Sequence, residues 1–194
     1  MPKERIHAAI QRGLGKSVSG LSLEQVVIEA VGSGNVGIVI DCLTDSKLRT
    51  LQELKAMIVR CHGQHTPTKY LFSRKGLIRV LAGSGGHDFD QVMEAALDVE
   101  GTEDVDEVPV EDCEEDKPEI MITTEPTLSG TVAQALKEKL PGIEIMSSNI
   151  GFVPNEDTMV SAADLSEKHS GFLQELIEKL EDYPDVSDVY TNIR

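Results

Sequence analysis

The order of short patterned segments between residues 77 and 153 is the feature that most constrains the fold. The spacing of apolar residues predicts a strand at Leu77–Leu81, a helix over 89–97 and a strand in the valine-containing runs of the acidic stretch 98–119. It then predicts a strand at Glu119–Thr123, a helix over 132–140 and a strand at Ile143–Val153. This is the ferredoxin-like order of elements. We therefore expect a four-stranded sheet with two helices in this region.

The flanking segments predict a second α+β domain. Two β-rich runs, Gln25–Val31 and Val36–Leu43, are separated by Gly32–Asn35 and predict a hairpin. An amphipathic helical pattern follows, beginning at a capping box at Thr50–Glu53 and ending at Gly63. The strongest amphipathic pattern of the chain, over 165–180, precedes a last predicted strand at 186–193.

Because that last helix and strand can complete the sheet of the hairpin, we predict that the ferredoxin-like domain is an insertion. The predicted fold class is α+β. The predicted domains are a remnant N-terminal helix over 1–16, a discontinuous domain over 17–75 and 154–194, and an inserted domain over 76–153. Pro2 suits the first turn of the short helix, and Gly13 and Gly15 end it.

The charge of the chain is divided between its two ends. The net charge is −16, yet residues 1–80 hold 12 Lys and Arg against 6 Asp and Glu, whereas residues 81–194 hold 6 against 28. The stretch 98–119 alone holds twelve acidic residues and only Lys117 as a base, and it predicts a mobile acidic loop. The net charge of the whole chain would argue against binding of phosphate groups, but the basic first part is compatible with it.

Several kinds of function find no support in the sequence. No apolar stretch reaches the roughly 18 residues of a membrane span, and three irregularly spaced cysteines indicate a reduced compartment. Gly32–Gly37 matches the dinucleotide fingerprint, but a strand follows where that motif needs a helix. Cys61–His65 lacks the second ligand pair of a zinc site, and no pair of side chains is spaced for acid–base catalysis. We therefore expect no enzyme, no cofactor, no metal and no small-molecule substrate.

One basic constellation remains as a candidate binding site. Lys47 and Arg49 stand just before the predicted helix N-terminus, and Arg74 and Lys75 occupy a predicted turn between two strands, Lys69–Ser73 and Leu77–Leu81. We expect these four side chains to contact the phosphates of a nucleic acid. The side chains that shape the turn before the helix are expected to be those of Thr44, Asp45 and Thr50.

These segments resemble the signatures of the YebC/PmpR family, which includes the mitochondrial translational activator of cytochrome c oxidase subunit I. The resemblance extends over almost the whole chain. The segments that carry it are Met1–Gly13, Asp41–Asp45 with Arg49-Thr50, Phe72–Ile78, Met93–Leu97 with Glu103–Val105, and Asp185–Asn192. Ser46 departs from the family's common asparagine, and Leu48 interrupts a polar stretch.

The resemblance implies a ferredoxin-like domain inserted into a second α+β domain, preceded by a basic helical domain of which only the last helix corresponds to this chain. It implies a gene-expression factor that binds the ribosome, mRNA or rRNA and activates translation, in the mitochondrial matrix of a eukaryote or the cytoplasm of a bacterium. Two alternatives stay open: a transcriptional regulator that binds promoter DNA, and a protein-interaction module that acts through the acidic half.

Overall fold

The structure is a computed structural model that describes residues 22–108 and 119–194. The predicted helix over 1–16 and the centre of the acidic stretch, 109–118, lie outside the described residues. The strands and helices are, in chain order, β1 (Glu24–Val31), β2 (Gly37–Thr44), α1 (Lys47–Arg60), β3 (Phe72–Leu81), α2 (Phe89–Leu97), β4 (Thr102–Val108), β5 (Glu119–Thr124), α3 (Ser129–Lys139), β6 (Ile145–Pro154), α4 (Glu167–Glu181) and β7 (Val186–Thr191).

These elements form two compact units. The first contains the described residues up to Ser73 together with those from Pro154 to Arg194, and the second contains Arg74–Val153. The sequence prediction places the first boundary two residues later, after residue 75, and the second boundary also after residue 153. Because β3 and β6 each run across a boundary, two strands carry the chain from one unit into the other.

The first unit contains a three-stranded antiparallel sheet in the order β1-β2-β7. The predicted hairpin is confirmed, with Ile28 opposite Ile40 and Ala30 opposite Ile38. These side chains pack with Leu54 and Ile58 of α1, and with leucines of α4, in one buried cluster. The last helix and strand therefore complete the sheet of the hairpin, although β7 follows β2 by more than a hundred residues.

The helix α1 begins earlier than the sequence predicts. Its N-cap is Ser46, so Lys47 and Arg49 lie in the first turn of the helix and not before it, and Thr50 is buried inside it. A capping box is a local pattern, whereas the Thr50 hydroxyl is engaged by Asp185 from the other end of the chain. At the C-terminus, His62 adopts the left-handed conformation at φ 60°, and Gly63 N–H donates to the Ile58 carbonyl at 2.8 Å.

The second unit confirms the ferredoxin-like prediction. Its sheet has the order β4-β5-β3-β6, with β5 antiparallel to both β3 and β4. Buried residues of the two central strands pack against buried residues of the two helices. They are Ile78 and Val80 of β3, Ile120 and Ile122 of β5, Val92 and Ala96 of α2, and Val132 and Leu136 of α3. Asp88 caps α2 in a capping box, with Gln91 as its partner.

One local prediction in this region is wrong, and another holds only in part. Residues 74–76 form no turn, because β3 runs unbroken from Phe72 to Leu81, and Lys69–Leu71 form a short 3-10 turn before it. The strand predicted in the valine-containing part of the acidic stretch is confirmed as the edge strand β4, which pairs with β5 and packs Val105 against the core, so the acidic loop predicted over 98–119 is shorter than expected. Backbone pairing with β5 and the inward Val105 attach this acidic segment to the sheet, and its charged neighbours on an edge strand stay in solvent.

Candidate nucleic-acid interface

The turn between β2 and α1 is organised by one carboxylate from the far end of the chain. The hydroxyls of Thr44 and Thr50 both donate to Oδ2 of Asp185, at 2.9 and 2.8 Å, and the two hydroxyl oxygens lie 2.8 Å apart. Arg49 donates to the same oxygen at 2.9 Å and to Asp45 at 2.9 Å. The Asp41–Thr50 signature and the Asp185–Asn192 signature are therefore two halves of one hydrogen-bonded cluster.

The electrostatics of Asp185 follow from these bonds. Partial burial favours the neutral carboxyl group, but the hydrogen bonds from Thr50, Arg49 and Thr44 outweigh it and hold the pKa of Asp185 below its usual value. The same contacts act on Arg49 in the opposite direction, since the hydrogen bond to Asp185 raises the pKa of the guanidinium. The ion pair is thus maintained at any physiological pH.

Thr44 also shapes the turn, as the sequence predicts. Its hydroxyl oxygen accepts from the Ser46 N–H at 3.0 Å, which bends the chain into the N-cap of α1. Thr44 and Thr50 are completely buried. Asp45 contributes through its bond to Arg49. The signature therefore has a buried half that consists of hydroxyls and an exposed half that begins at Lys47.

The exposed half of the signature, Lys47–Arg49, carries two cations and one apolar side chain. Lys47 forms an ion pair with Glu24 at 2.7 Å, in which both side chains are about 60% exposed. Leu48 is 67% exposed and has no core contact to hold it there. The Arg49 side chain is 48% exposed despite its two carboxylate partners. We call this surface segment the basic turn.

The other two candidate cations lie in the second unit. Arg74 is exposed on β3, and it has no acidic partner among residues 22–108 and 119–194. Lys75 is half-buried and paired with Glu103 of β4. The structure therefore divides the four predicted cations into two pairs, one in each unit, and their binding to a nucleic acid remains a prediction.

Sequence reasoning missed Asp185 and its neighbour Tyr183 as parts of this site. The Tyr183 hydroxyl donates to Glu53 of α1, and burial together with that hydrogen bond raises the pKa of Tyr183 to about 12. The only signal for Asp185 was its place at the start of the Asp185–Asn192 signature. No local pattern indicates which distant residue such a carboxylate will meet.

The other motifs of the sequence are placed as follows. After Gly37, β2 continues as a strand, so the fingerprint match at Gly32–Gly37 does not open a helix. The described residues contain no group of three or more His, Cys, Asp or Glu side chains arranged to hold a metal ion. Within those same residues, no helix has the length and apolar character needed to cross a membrane.

The inserted ferredoxin-like unit and the two signatures that meet at Asp185 together define the YebC-like architecture. The chain belongs to this family: a model described as the TACO1/YebC second and third domain matches residues 23–193. The crystal structure of a conserved hypothetical protein from Aquifex aeolicus superimposes with a TM-score of 0.76 at 27% identity, over 100% of this chain and 74% of that one.

Curated relatives carry regulatory names. A probable transcriptional regulatory protein of Trichlorobacter lovleyi is 33% identical over 99% of this chain and 71% of its own length. The probable transcriptional regulatory protein HAH1 of Saccharomyces cerevisiae is 33% identical over 98% of this chain and 68% of its own length. The chain is thus a gene-expression factor of the YebC kind.

Proposed function

We propose that the chain binds RNA at the ribosome or on mRNA and activates translation, and that its site of action is the mitochondrion. The observation that carries this proposal is the division of the Asp41–Thr50 signature into a buried half and an exposed basic half. A buried network that fixes the position of exposed cations is the arrangement that a binding site for phosphates needs.

The ion pairs of these cations do not prevent phosphate binding. Lys47 and its partner Glu24 are both exposed, and exposed pairs contribute only about 0.2–1 kcal/mol. A phosphate can therefore replace Glu24 as the partner of Lys47 with little loss of free energy. Arg49 keeps its bond to Asp185 and presents a preorientated guanidinium to solvent. Arg74 forms no ion pair with a carboxylate of the described residues, so a phosphate would not have to replace one there.

The test is co-sedimentation of the chain with ribosomes of a mitochondrial lysate on a sucrose gradient, with and without a chelator that separates the subunits. The test variant is Lys47→Glu with Arg74→Glu, which leaves Arg49 and the Asp185 cluster intact. The matched control is Lys137→Glu with Lys139→Glu, which makes the same change of charge at exposed lysines elsewhere. Thermal unfolding of each variant shows that the fold is retained.

We expect the parent chain and the control to travel with ribosomes and to shift when the subunits separate. The test variant should remain near the top of the gradient, because each lost phosphate contact weakens binding and reduces its dependence on salt. Equal co-sedimentation of the test variant and the parent would show that the basic turn and Arg74 are not the contact surface. A parent chain that never enters the ribosomal fractions would remove the translational proposal itself.

A second candidate is regulation of transcription through promoter DNA, which the printed names of the relatives favour. It requires preference for particular duplex sequences, and none of the described helices presents a row of Arg, Asn and Gln side chains of the kind that reads base edges. Gel-shift titrations with promoter fragments and shuffled duplexes at fixed salt distinguish the two functions. Equal affinity for both duplexes counts against this candidate.

A further inference from the structure

A depression in the first unit lies apart from the basic turn and is lined by basic and aromatic side chains. Its volume is about 430 Å³, within the range of small-molecule sites. Its lining comes from the β1–β2 loop, the end of α1 and the first two turns of α4, and consists of Gly32, Ser33, Gly34, Asn35, His62, Lys168, His169 and Phe172. All of these residues belong to one unit.

The charge of this lining is unusual for such an acidic chain. The chain has 34 Asp and Glu residues, yet none of them lines the depression. Two other depressions of similar size, both in the second unit, include carboxylates, with Glu94 and Asp98 in one and Glu138 in the other. Lysine, two imidazoles and no carboxylate make this depression complementary to an anion.

The two rings form one wall of the depression. The centroids of the His62 and Phe172 rings are 4.2 Å apart, with an angle of 44° between their planes. Lys168 Nζ lies 5.7 Å from the centroid of the Phe172 ring. No carboxylate of the described residues forms an ion pair with Lys168, so its ammonium group is available to a ligand. Glu175 lies outside this lining, and its pKa is lowered mainly by its hydrogen bond from Lys179.

The backbone holds these groups in an unusual way. His62 is at φ 60° and Asn35 at φ 62°, where residues other than glycine are uncommon. Gly34 is at φ +78°, and a Cβ atom there would lie 2.3 Å from Leu165 Cδ2 and 3.6 Å from His169 Cβ. The glycine thus permits the loop to approach α4 closely, which brings His169 to the edge of the depression.

We propose that this depression binds a nucleoside 5′-monophosphate unit, either as a free nucleotide or as the 5′ end of an RNA strand. The phosphate lies between Lys168 and His169, which supply the positive charge and the N–H donors. The base packs against the His62–Phe172 ring pair, in a contact that tolerates any base. The inference does not depend on the fingerprint match, because its phosphate ligands are side chains of α4 and not the N–H groups of a helix that follows the loop.

The test measures fluorescence anisotropy of two short RNA strands of one sequence, labelled at the 3′ end and carrying either a 5′-phosphate or a 5′-hydroxyl. The test variants are Lys168→Gln, His169→Gln and Phe172→Leu, and the matched control is Lys137→Gln, which removes the same charge from an exposed site in the other unit. Uridine monophosphate and inorganic phosphate serve as competitors. Thermal unfolding confirms that each variant folds.

We expect the phosphorylated strand to bind at least about tenfold more tightly than the hydroxyl strand, which corresponds to about 1.4 kcal/mol. Lys168→Gln or His169→Gln should abolish that difference, and Lys137→Gln should leave it. In the parent, uridine monophosphate should bind better than inorganic phosphate, and Phe172→Leu should make them equal. Displacement of the strand by uridine monophosphate at about the affinity of the phosphorylated strand itself identifies a free-nucleotide site, and displacement that needs a concentration at least about tenfold higher identifies a strand-end site.

Equal affinity of the two strands, or an equal effect of Lys137→Gln, would overturn the proposal. Displacement by inorganic phosphate as readily as by uridine monophosphate would overturn the nucleotide assignment. The result is separable from ribosome binding, because the residues and the readout differ. Loss of co-sedimentation in Lys47→Glu with Arg74→Glu leaves the 5′-phosphate preference unchanged, and loss of the preference in Lys168→Gln leaves the basic turn intact.

Discussion

Asp185 is the residue on which the turn between β2 and α1 depends. A single carboxylate oxygen accepts from Thr44, Thr50 and Arg49, so one substitution affects three donors, two of them buried. Hydrogen bonds to a charged group contribute more to stability than those between neutral groups, about 1.5–3 kcal/mol against about 0.5–1.5 kcal/mol. We therefore expect the cluster to contribute to the stability of the protein and to make that stability depend on pH.

We predict that Asp185→Asn lowers the free energy of unfolding at neutral pH by about 2 kcal/mol, because the neutral amide cannot satisfy all three donors. Since the folded state holds the pKa of Asp185 below its usual value, the stabilisation is present above the unfolded pKa and disappears as pH falls through the folded one. The difference between parent and variant should thus shrink in acid.

Urea unfolding at pH 7 and at pH 3 measures this difference directly. The matched control is Asp182→Asn, an exposed residue at the C-cap of α4 without such partners. A variant as stable as the parent at pH 7, or a difference that persists unchanged in acid, would contradict the role given to the cluster.

Tyr183 predicts a response at the opposite end of the pH scale. Burial and the hydrogen bond to Glu53 raise its pKa to about 12, so the folded state favours the neutral phenol. Its stabilisation is complete below the ordinary tyrosine pKa of about 10 and is lost as pH rises through 12. We expect Tyr183→Phe to cost about 1 kcal/mol at pH 8 and less at pH 11.

The control for Tyr183→Phe is Tyr70→Phe, whose ring is 75% exposed and which should not change the alkaline part of the stability curve. Unfolding free energies at pH 8 and pH 11 are compared among the three chains, so that the ionisation of lysines affects all of them alike. If Tyr70→Phe and Tyr183→Phe behave identically, the Glu53 contact does not stabilise the fold.

Among the elements, β3 shows why the Phe72–Ile78 signature needs a glycine. A Cβ atom at Gly76 would lie 2.3 Å from Thr124 Oγ1 of β5 and 2.6 Å from Ser129 Cβ at the start of α3. Gly76 sits opposite Thr124 in the sheet. The glycine therefore allows α3 to begin directly against the strand pair, and it marks a close approach of backbone and not a turn.

We predict that Gly76→Ala destabilises the protein by about 1–3 kcal/mol, the usual cost of inserting a methyl group into a packed site. Gly130→Ala is the matched control, since no atom lies within 4 Å of a Cβ there and the residue is in α3. In a helix this change should stabilise by about 0.4–1 kcal/mol. Thermal unfolding of both variants decides the matter, and equal effects would refute the close-approach explanation.

For the whole molecule, each unit has its own core and the chain leaves and re-enters the first unit at neighbouring points. Ser73 Oγ donates to Asn155 Oδ1 at 2.6 Å, and Asn155 N–H donates to the Leu71 carbonyl at 2.9 Å. The two cores share no residue. The second unit is therefore an insertion in the physical sense and not only in the order of its elements.

We predict that replacing residues 74–153 by a short Gly-Ser linker leaves a first unit that still unfolds cooperatively, since a short loop between adjacent ends costs little entropy. Circular dichroism during thermal unfolding measures this. The same deletion with Leu176→Ala, in the fully buried core, should lose the transition because such a change costs about 2–5 kcal/mol. Absence of a transition in the deletion itself would show that the units depend on each other.

By itself, the sequence determined the order of the elements, the insertion and the family, because apolar periodicity, turn residues and signature motifs are local properties of the chain. It also identified Lys47, Arg49, Arg74 and Lys75 as candidate contacts, through their charge. Only the tertiary structure decided that α1 begins at Lys47, that β3 continues through residues 74–76, and that Thr44 and Thr50 meet Asp185. Those outcomes depend on hydrogen bonds and packing between residues far apart in the chain, and their free energies override the local preferences from which a sequence is interpreted.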